Sequence, residues 1–386
     1  MTAIAADRPH FSLTEVTQLA QDLYGITTAA QELPSERDQN FHLQTESGDG
    51  FVFKISSAAE KRSILDLQHD ALDHLGATVD DGVWPRVCRT KNNEPITSIP
   101  GANGKNHMVR MLTFIDGIPL VHTKPHSPEL LNHLGSFLGR VSGVFEQFTH
   151  PEKQPDLKWN PDNGPDVLHT YAGHIADQDH RDLVDHFCTE YEATVGPIRT
   201  SLRRSIIHND ANDHNVLVTK AKPNDLTDWK KQVAGLIDFG DMVESYTIAE
   251  LAVAIAYVML GKAEPLAAAA HVIRGYHASY PLTEQEVEVL FHFVVMRLCM
   301  SVCISADQQA EEPENEYLSV SENTAWPLLK KLSEVPPSLA HYIFREACEM
   351  SPCPQTPKIM AWLNANGGTF ASVMGPGADI TKALVF

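Results

Sequence analysis

The sequence is poor in basic residues and in cysteine, and each shortage removes a class of function. Thirty Lys and Arg stand against fifty Asp and Glu, a formal charge of −20 over 386 residues. A surface of that sign repels nucleic acid and anionic lipid, so neither is an expected partner. It suits a small cationic molecule, although acidity also serves plain solubility. The six cysteines (Cys88, Cys188, Cys299, Cys303, Cys348 and Cys353) form no C-x-x-C pair and have no zinc-finger spacing with histidine. Cys299 and Cys303 lie in an apolar stretch and read as buried helix residues. No cationic segment followed by an apolar one opens the chain, against a secretory signal. The longest apolar stretches, near 248–260 and 289–304, read as too short or too interrupted to span a membrane. A cytoplasmic, reducing location fits all of this.

Internal repeats and low-complexity tracts are also lacking. Residues 11–24 place apolar side chains at helical spacing, with Ser12 or Thr14 as the cap. The runs FHLQT (41–45) and GFVFKIS (50–56), joined by a Gly-rich turn, predict a hairpin. A helix over about 58–75 and short strands near 86–90 and 107–115 complete a small lobe, residues 1–115. Residues 116–386 read as mainly helical, with helices near 127–146, 177–194, 247–260, 265–279, 283–304 and 322–333. Among them sits a β-rich island: SIIHND (205–210), NVLVT (215–219) and VAGLIDFGD (233–241). A strand–loop–strand set among helices implies a loop presented to something. The tail after Cys348, with several Pro and Gly, reads as a loosely packed extension or the start of a longer chain.

The island carries the chemistry. His208, Asp210 and Asn215 have the spacing H-x-D-x-x-x-x-N. Phosphoryl transfer to an alcohol needs a carboxylate to orient the hydroxyl and take its proton, the role that suits Asp210. It also needs Mg²⁺ against the phosphate charge, and the amide oxygen of Asn215 can be one ligand. Asp238, in Ile237-Asp238-Phe239-Gly240, follows a strand as a second ligand would. Either half alone could be turn chemistry. In order, each beside an apolar strand, they point to an ATP- and Mg²⁺-dependent enzyme.

Such an enzyme also needs a lysine for the α- and β-phosphates. Lys54 is the only lysine in the first 60 residues and lies in the apolar strand FVFKI. LPSERDQNF (33–41) is the expected loop over the phosphates, with Ser35, Asp38, Gln39 and Asn40 as its polar contacts. It holds no G-x-G-x-x-G. The usual partner of the lysine is a glutamate on the following helix; here Gln68 takes the facing position, with Glu60 and Asp70 as alternatives. The strand 108–112, through Val109 and Met111, is the expected hinge against adenine. The histidines and tryptophans are scattered and mark neither a metal site nor a base-stacking surface.

These motifs resemble the aminoglycoside phosphotransferase-like kinases, a group that includes choline, homoserine and hydroxylysine kinases. IIHNDANDHNVLV (206–218) is similar to that family's catalytic loop, and GLIDFGDMVESYTIAELAVAIAYVM (235–259) to its metal-binding strand and following helix. LPSERDQNFHL, VRMLTFIDGIPL and RLCMSVCISA are most similar to hydroxylysine kinases and to kinase domains fused to class III aminotransferases. The resemblance covers about residues 12–345. It implies an α+β, two-lobed fold with a small antiparallel-sheet N-lobe, ATP in the cleft and an acceptor held by C-lobe helices. It implies Asp210 as base, Asn215 and Asp238 as Mg²⁺ ligands and Lys54 as phosphate lysine. The acceptor is a small amino alcohol or hydroxy amino acid, 5-hydroxylysine first. Aminoglycoside, homoserine, choline and ethanolamine kinases, or a weakly active ATP-binding module, are the alternatives. Coupling or fusion to a pyridoxal-phosphate aminotransferase or phospholyase is a possible partnership.

Asn209 stands where most members have Gly, Glu250 where many have Asp, and Asn160 where Asp is frequent. None removes a group that transfers phosphate. For a cationic acceptor, Asp213, Asp241 and Glu244 are the nearby acids, with turn or helix-start acids as the plain reading. Arg297 pairs either with a substrate carboxylate or with an acid inside the protein.

Overall fold

The computed structural model describes residues 7–35, 37–78, 83–102, 104–220, 231–311 and 319–374. Its first lobe is an antiparallel sheet of six strands in the order β1 (Ala29–Leu33), β2 (Gln39–Gln44), β3 (Gly50–Ile55), β6 (Asn106–Thr113) and β4 (Val87–Cys88), with β5 (Thr97–Pro100) also paired to β6. Side-chain alternation sorts the sheet into two faces. Phe41, Leu43, Phe53, Ile55, Val109 and Met111 form a core with Val16 and Ala20 of helix α1 (Leu13–Tyr24). Asn40, Lys54 and Arg110 lie side by side on the other face, as register partners across β2, β3 and β6.

Helix α1 begins at Ser12, whose hydroxyl accepts from the Glu15 amide while the Glu15 carboxylate accepts from the Ser12 amide. It stops at Gly25, which adopts φ 76°, a conformation open to glycine. Helix α2 (Arg62–Thr78) leaves the first lobe's sheet: its Leu67, Ala71, Leu72 and Leu75 join the core of the second lobe.

The second lobe is built on helices α3 (Pro128–Phe145), α5 (Gln178–Val195), α6 (Thr247–Met259), α7 (Pro265–Ser279), α8 (Glu284–Glu311) and α9 (Ser319–Ser333). Helices α3 and α7 touch backbone to backbone. A Cβ on Gly135 would lie 1.8 Å from the Val272 carbonyl oxygen, and one on Gly275 1.9 Å from that of Asn132. Helix α8 runs past the predicted end of its apolar stretch. Its segment Glu284–Ala310 is long and apolar enough to cross a membrane by length and composition, which corrects the expectation of a stretch too interrupted to do so. Of its most apolar window, 89% is buried inside the protein, where it forms the lobe's central core helix.

The β-rich island proves to be two sheets. β8 (Arg204–Ile207) pairs with β11 (Val243–Tyr246), and β9 (Val216–Val218) pairs with β10 (Val233–Leu236) and with β7 (Ile118–Pro119). Three helices were not predicted: α4 (Gly164–Tyr171), α10 (Pro337–Ala347) and α11 (Thr356–Met374), the last two within or beside the stretch expected to be loose. The final residues of that stretch, 375–386, lie outside the described residues.

His292 of α8 is 7% exposed, and burial holds its imidazole down at about 4 against an ordinary 6.5. The unfolded chain therefore takes up a proton below pH 6.5 that the native site refuses until about pH 4. Stability drains away as pH falls through that window, by about 2 kcal/mol at pH 5 from this group. His292→Leu should flatten the loss between pH 7 and pH 5 in urea titrations; an unchanged loss would show that His292 does not carry it.

Candidate active site

The two small sheets hold three functional segments against one cleft. β8 delivers His208, Asn209 and Asp210; β9 starts immediately after Asn215; β10 is followed, after Ile237, by Asp238. His208 locks the first segment to the third. Its ring accepts from the Asp210 amide at Nδ1 (3.2 Å), and Nε2 donates to the Ile237 carbonyl (3.1 Å). Burial keeps the ring neutral, with its pKa lowered to about 4. Neutrality is what lets one nitrogen accept while the other donates.

Asn209 has φ 66°, the left-handed region. Asn is the residue other than Gly that most readily sits there, so the backbone accepts it at this position. Its side chain is also used: Nδ2 donates to the carbonyls of Trp159 (3.1 Å) and Asp241 (3.2 Å). Glu250, buried in α6, accepts from the Asn209 amide at 3.1 Å, and burial pushes its carboxyl up to about 7. Asn160 caps a turn, accepting from the Asp162 amide.

Three donors converge on the Asp210 carboxylate. Asn212 Nδ2 (3.0 Å) and Arg297 Nη2 (2.9 Å) reach Oδ1, and Asn215 Nδ2 (2.7 Å) reaches Oδ2. Burial pushes its pKa up to about 7 against the pull of Arg297, and Asp241 and Asp238 push the same way as burial. A carboxylate poised there is suited to taking a proton near neutrality. Arg297 is itself held between rings, 4.3 Å from the Trp159 ring and 5.7 Å from that of Tyr257, and donates to the Asn209 carbonyl at 3.3 Å. Of the two readings of Arg297, the internal pair is the one present, and its partner is Asp210 itself.

Across the cleft, Lys54 Nζ lies 3.6 Å from Asp238 Oδ1. That cation holds the Asp238 carboxyl below its usual range, and the side chain is 55% exposed to the cleft. Asn215 lies outside the residues that line the cleft. Its Nδ2 is spent on Asp210 and its backbone carbonyl accepts from the Ile237 amide, next to Asp238, which leaves its side-chain oxygen and the open Asp238 carboxylate as the oxygens available to a hard cation. Such a sparse oxygen set fits Mg²⁺, which keeps waters and phosphate oxygens as its other ligands.

The same cleft is lined by Ser35, Asn40, Lys54, Asp210, Asp238 and Asp241 from the predicted set. Glu60, Gln68 and Arg110 also line it. Gln68 and Glu60 therefore sit near Lys54, whereas Asp70 faces His150 at 3.6 Å. Arg37 reaches across to Asp241, 3.9 Å away.

Other expectations need correction. Gln39 does not face the cleft: it shares the phase of Phe41 and Leu43, and its amide clasps the Phe11 backbone at 2.8 and 3.0 Å. That alternation was a usable signal. Asp38 lines the cleft but accepts from the Ser57 amide at 3.0 Å. Val109 and Met111 are not a hinge. They lie mid-strand in β6 with neighbours on both sides (Ile55 and Thr97, Phe53 and Cys88) and with core side chains. The chain passes between lobes only after Thr113, through residues 114–117. Glu244 lies outside the cleft lining and pairs with Lys153 at 2.5 Å, because β11 turns it towards that loop. Asp213 is likewise outside the lining; its carbonyl accepts from the Val121 amide.

A two-lobed kinase-like phosphotransferase is the class that this fold and cleft define. A profile of the phosphotransferase enzyme family matches residues 29–286, and the chain belongs to that family. It is a small-molecule kinase that acts on a hydroxyl group. Over 366 residues it is 30% identical to the hydroxylysine kinase of Xenopus laevis, which spans 90% of this chain and 97% of that protein. Over 349 residues it is 29% identical to the hydroxylysine kinase of Mus musculus, 86% of this chain and 92% of that one. An amicoumacin kinase solved with AMP-PNP, Ca²⁺ and Ami shares the fold at TM-score 0.62 and 14% identity, covering 83% of this chain and 94% of its own. A microcompartment-associated aminopropanol kinase does so at 0.57 and 15%, covering 87% and 99%.

Proposed function

We propose that the chain transfers the γ-phosphoryl group of ATP, with Mg²⁺, to the hydroxyl of 5-hydroxylysine or a closely similar hydroxy amino acid. The observation that carries the reaction is the Asp210 carboxylate, half-buried, triply hydrogen-bonded and lining one cleft with Lys54 and Asp238. The acceptor rests on the likeness to hydroxylysine kinases over almost their whole length.

In this reading Asp210 orients the acceptor hydroxyl and takes its proton as the oxygen bonds to the γ-phosphorus. The bond from that phosphorus to the bridging oxygen breaks, and ADP leaves. Lys54 holds the α- and β-phosphates, and Ser35 and Asn40 form the wall above them. Mg²⁺, when bound by Asn215 and Asp238, offsets the phosphate charge. Arg297, fixed by Trp159 and Tyr257, holds the Asp210 carboxylate in one orientation. Asp241, beside Asp210 in the same lining, is the acid placed for an acceptor ammonium. A phosphorylated amino acid of this kind suits a pyridoxal-phosphate lyase or aminotransferase acting next. The six free thiols fit a reducing cytoplasm.

The test is ADP release with 5-hydroxylysine, homoserine, ethanolamine, 1-amino-2-propanol, choline and kanamycin, each product identified by mass. A Mg²⁺-dependent signal with 5-hydroxylysine, at least ~10-fold above the others in kcat/KM, is the expected result. Turnover confined to another acceptor replaces the substrate, and no acceptor-dependent ADP at all overturns the assignment.

A further inference from the structure

We propose that Arg110 is a second phosphate-binding cation of the nucleotide cleft, acting beside Lys54. The inference rests on the reading of this cleft as the ATP site. Arg110 is the register partner of Lys54 across β3 and β6, so both side chains project from the same face of the sheet. It lines the cleft together with Lys54, Ser35 and Asn40.

Its state without a ligand is the unusual part. The residue is 2% exposed, its Nε has no hydrogen-bond partner, and among the described residues no carboxylate comes within ion-pair distance of it. The acids that act on it from around the cleft are Asp38, Asp238 and Glu60. Asp38 is engaged by the Ser57 amide and Asp238 by Lys54. Gln68, on the facing helix, lines the same cleft and adds no charge. Histidine 69, buried on that helix with both ring nitrogens unpartnered, is held far down at about 3 by burial, with Arg110 the foremost of the cations adding to it.

A buried guanidinium cannot shed its proton as a lysine can, and unpaired burial of a charge is strongly unfavourable. A structural arginine would be expected to have its fork filled by protein oxygens. Here the fork is left for an oxyanion, and a phosphate offers the planar two-oxygen face that guanidinium matches. Two cations on adjacent strands would then grip the polyphosphate, Lys54 as a point charge and Arg110 as a fork.

The experiment compares wild type, Arg110→Met and Arg110→Lys in the full chain, by calorimetric binding of Mg·ATP, ADP and adenosine and by thermal melting. Arg110→Met should weaken ATP and ADP at least ~10-fold, leave adenosine within about two-fold, and leave the melting temperature of the free protein unchanged or raised. Its ATP-induced rise in melting temperature should shrink accordingly. Arg110→Lys, which keeps the charge and loses the fork, should fall between. Unchanged ATP affinity in both variants, an equal loss for adenosine, or a free protein melting well below wild type would each overturn the proposal. Wild type that binds ATP but phosphorylates no acceptor would fail the functional reading alone, and wild type that binds no ATP would fail both.

Discussion

Asp210→Asn should reduce kcat by about 10³-fold or more while leaving ATP affinity within a few-fold of wild type. The first part follows from chemistry: an amide cannot take the acceptor's proton, and a general base supplies about 10²–10⁴ in rate. Geometry adds to it. Asn212 and Arg297 donate to one oxygen of Asp210 and Asn215 to the other, so three of its roughly four lone-pair sites face donors and one, on Oδ2, is left for the acceptor hydroxyl. An amide must turn its own N–H₂ towards one of them. The natural choice breaks the 2.7 Å bond from Asn215, which then loses the contact that fixes its free oxygen. The substitution should thus also raise the Mg²⁺ concentration needed for whatever activity remains. Isothermal titration with Mg·ATP and steady-state assays across Mg²⁺ separate the two effects. A variant retaining a tenth of wild-type kcat would remove Asp210 from the role of base.

The reason Asp210 can be found in the sequence is local. His208, Asp210, Asn215 and Asp238 each border a short apolar run, and strands that present a loop leave that pattern in any order of tertiary pairing. The helices over 128–145, 247–259 and 265–279 are legible for the same reason, since an apolar stripe at helical spacing needs no partner to be seen. What depends on partners is not legible. The pairing of Arg204–Ile207 with Val243–Tyr246 spans the intervening sheet and joins segments with no common turn. Ala29–Leu33 is an edge strand with a mixed exposure pattern, and nothing in AAQEL alternates. Val109 and Met111 look like a hinge because an apolar strand leads towards the second lobe; only the presence of neighbours on both sides shows that their backbone is already used.

Arg297 and Arg110 show the same limit from the side of charge. A lone arginine in an apolar helix or strand says that something must meet it, and cannot say what. For Arg297 the partner is 87 residues away in sequence, at Asp210, with Trp159 and Tyr257 stacked about it. For Arg110, Nε has no hydrogen-bond partner and no carboxylate lies within ion-pair distance among the described residues. Both leave Nε without a partner; they differ at the Nη atoms, which in Arg297 meet Asp210 and the Asn209 carbonyl and in Arg110 face the cleft.

Asp238→Asn is the second substitution expected to act most strongly, by about 10³-fold in kcat/KM, with the apparent Mg²⁺ requirement raised. Phosphoryl transfer asks little covalent work of the protein, so the placement of positive charge around the phosphates carries most of the catalysis. Asp238 serves that placement twice. Its carboxylate is held ionised by Lys54, 3.6 Å away, and is the more exposed of the pair, open to the cleft where a cation would sit. An amide there keeps the shape and one neutral oxygen but releases Lys54 from its partner. Lys54→Met provides the contrast: it should weaken ATP binding by at least ~10-fold while leaving the Mg²⁺ dependence close to wild type. Magnesium titrations at saturating ATP therefore distinguish the two residues, because only the Asp238 variant should shift its midpoint upward. If both variants shifted it equally, Asp238 would be acting through Lys54 as a positioning residue, and the metal would have to be held by other oxygens of the cleft.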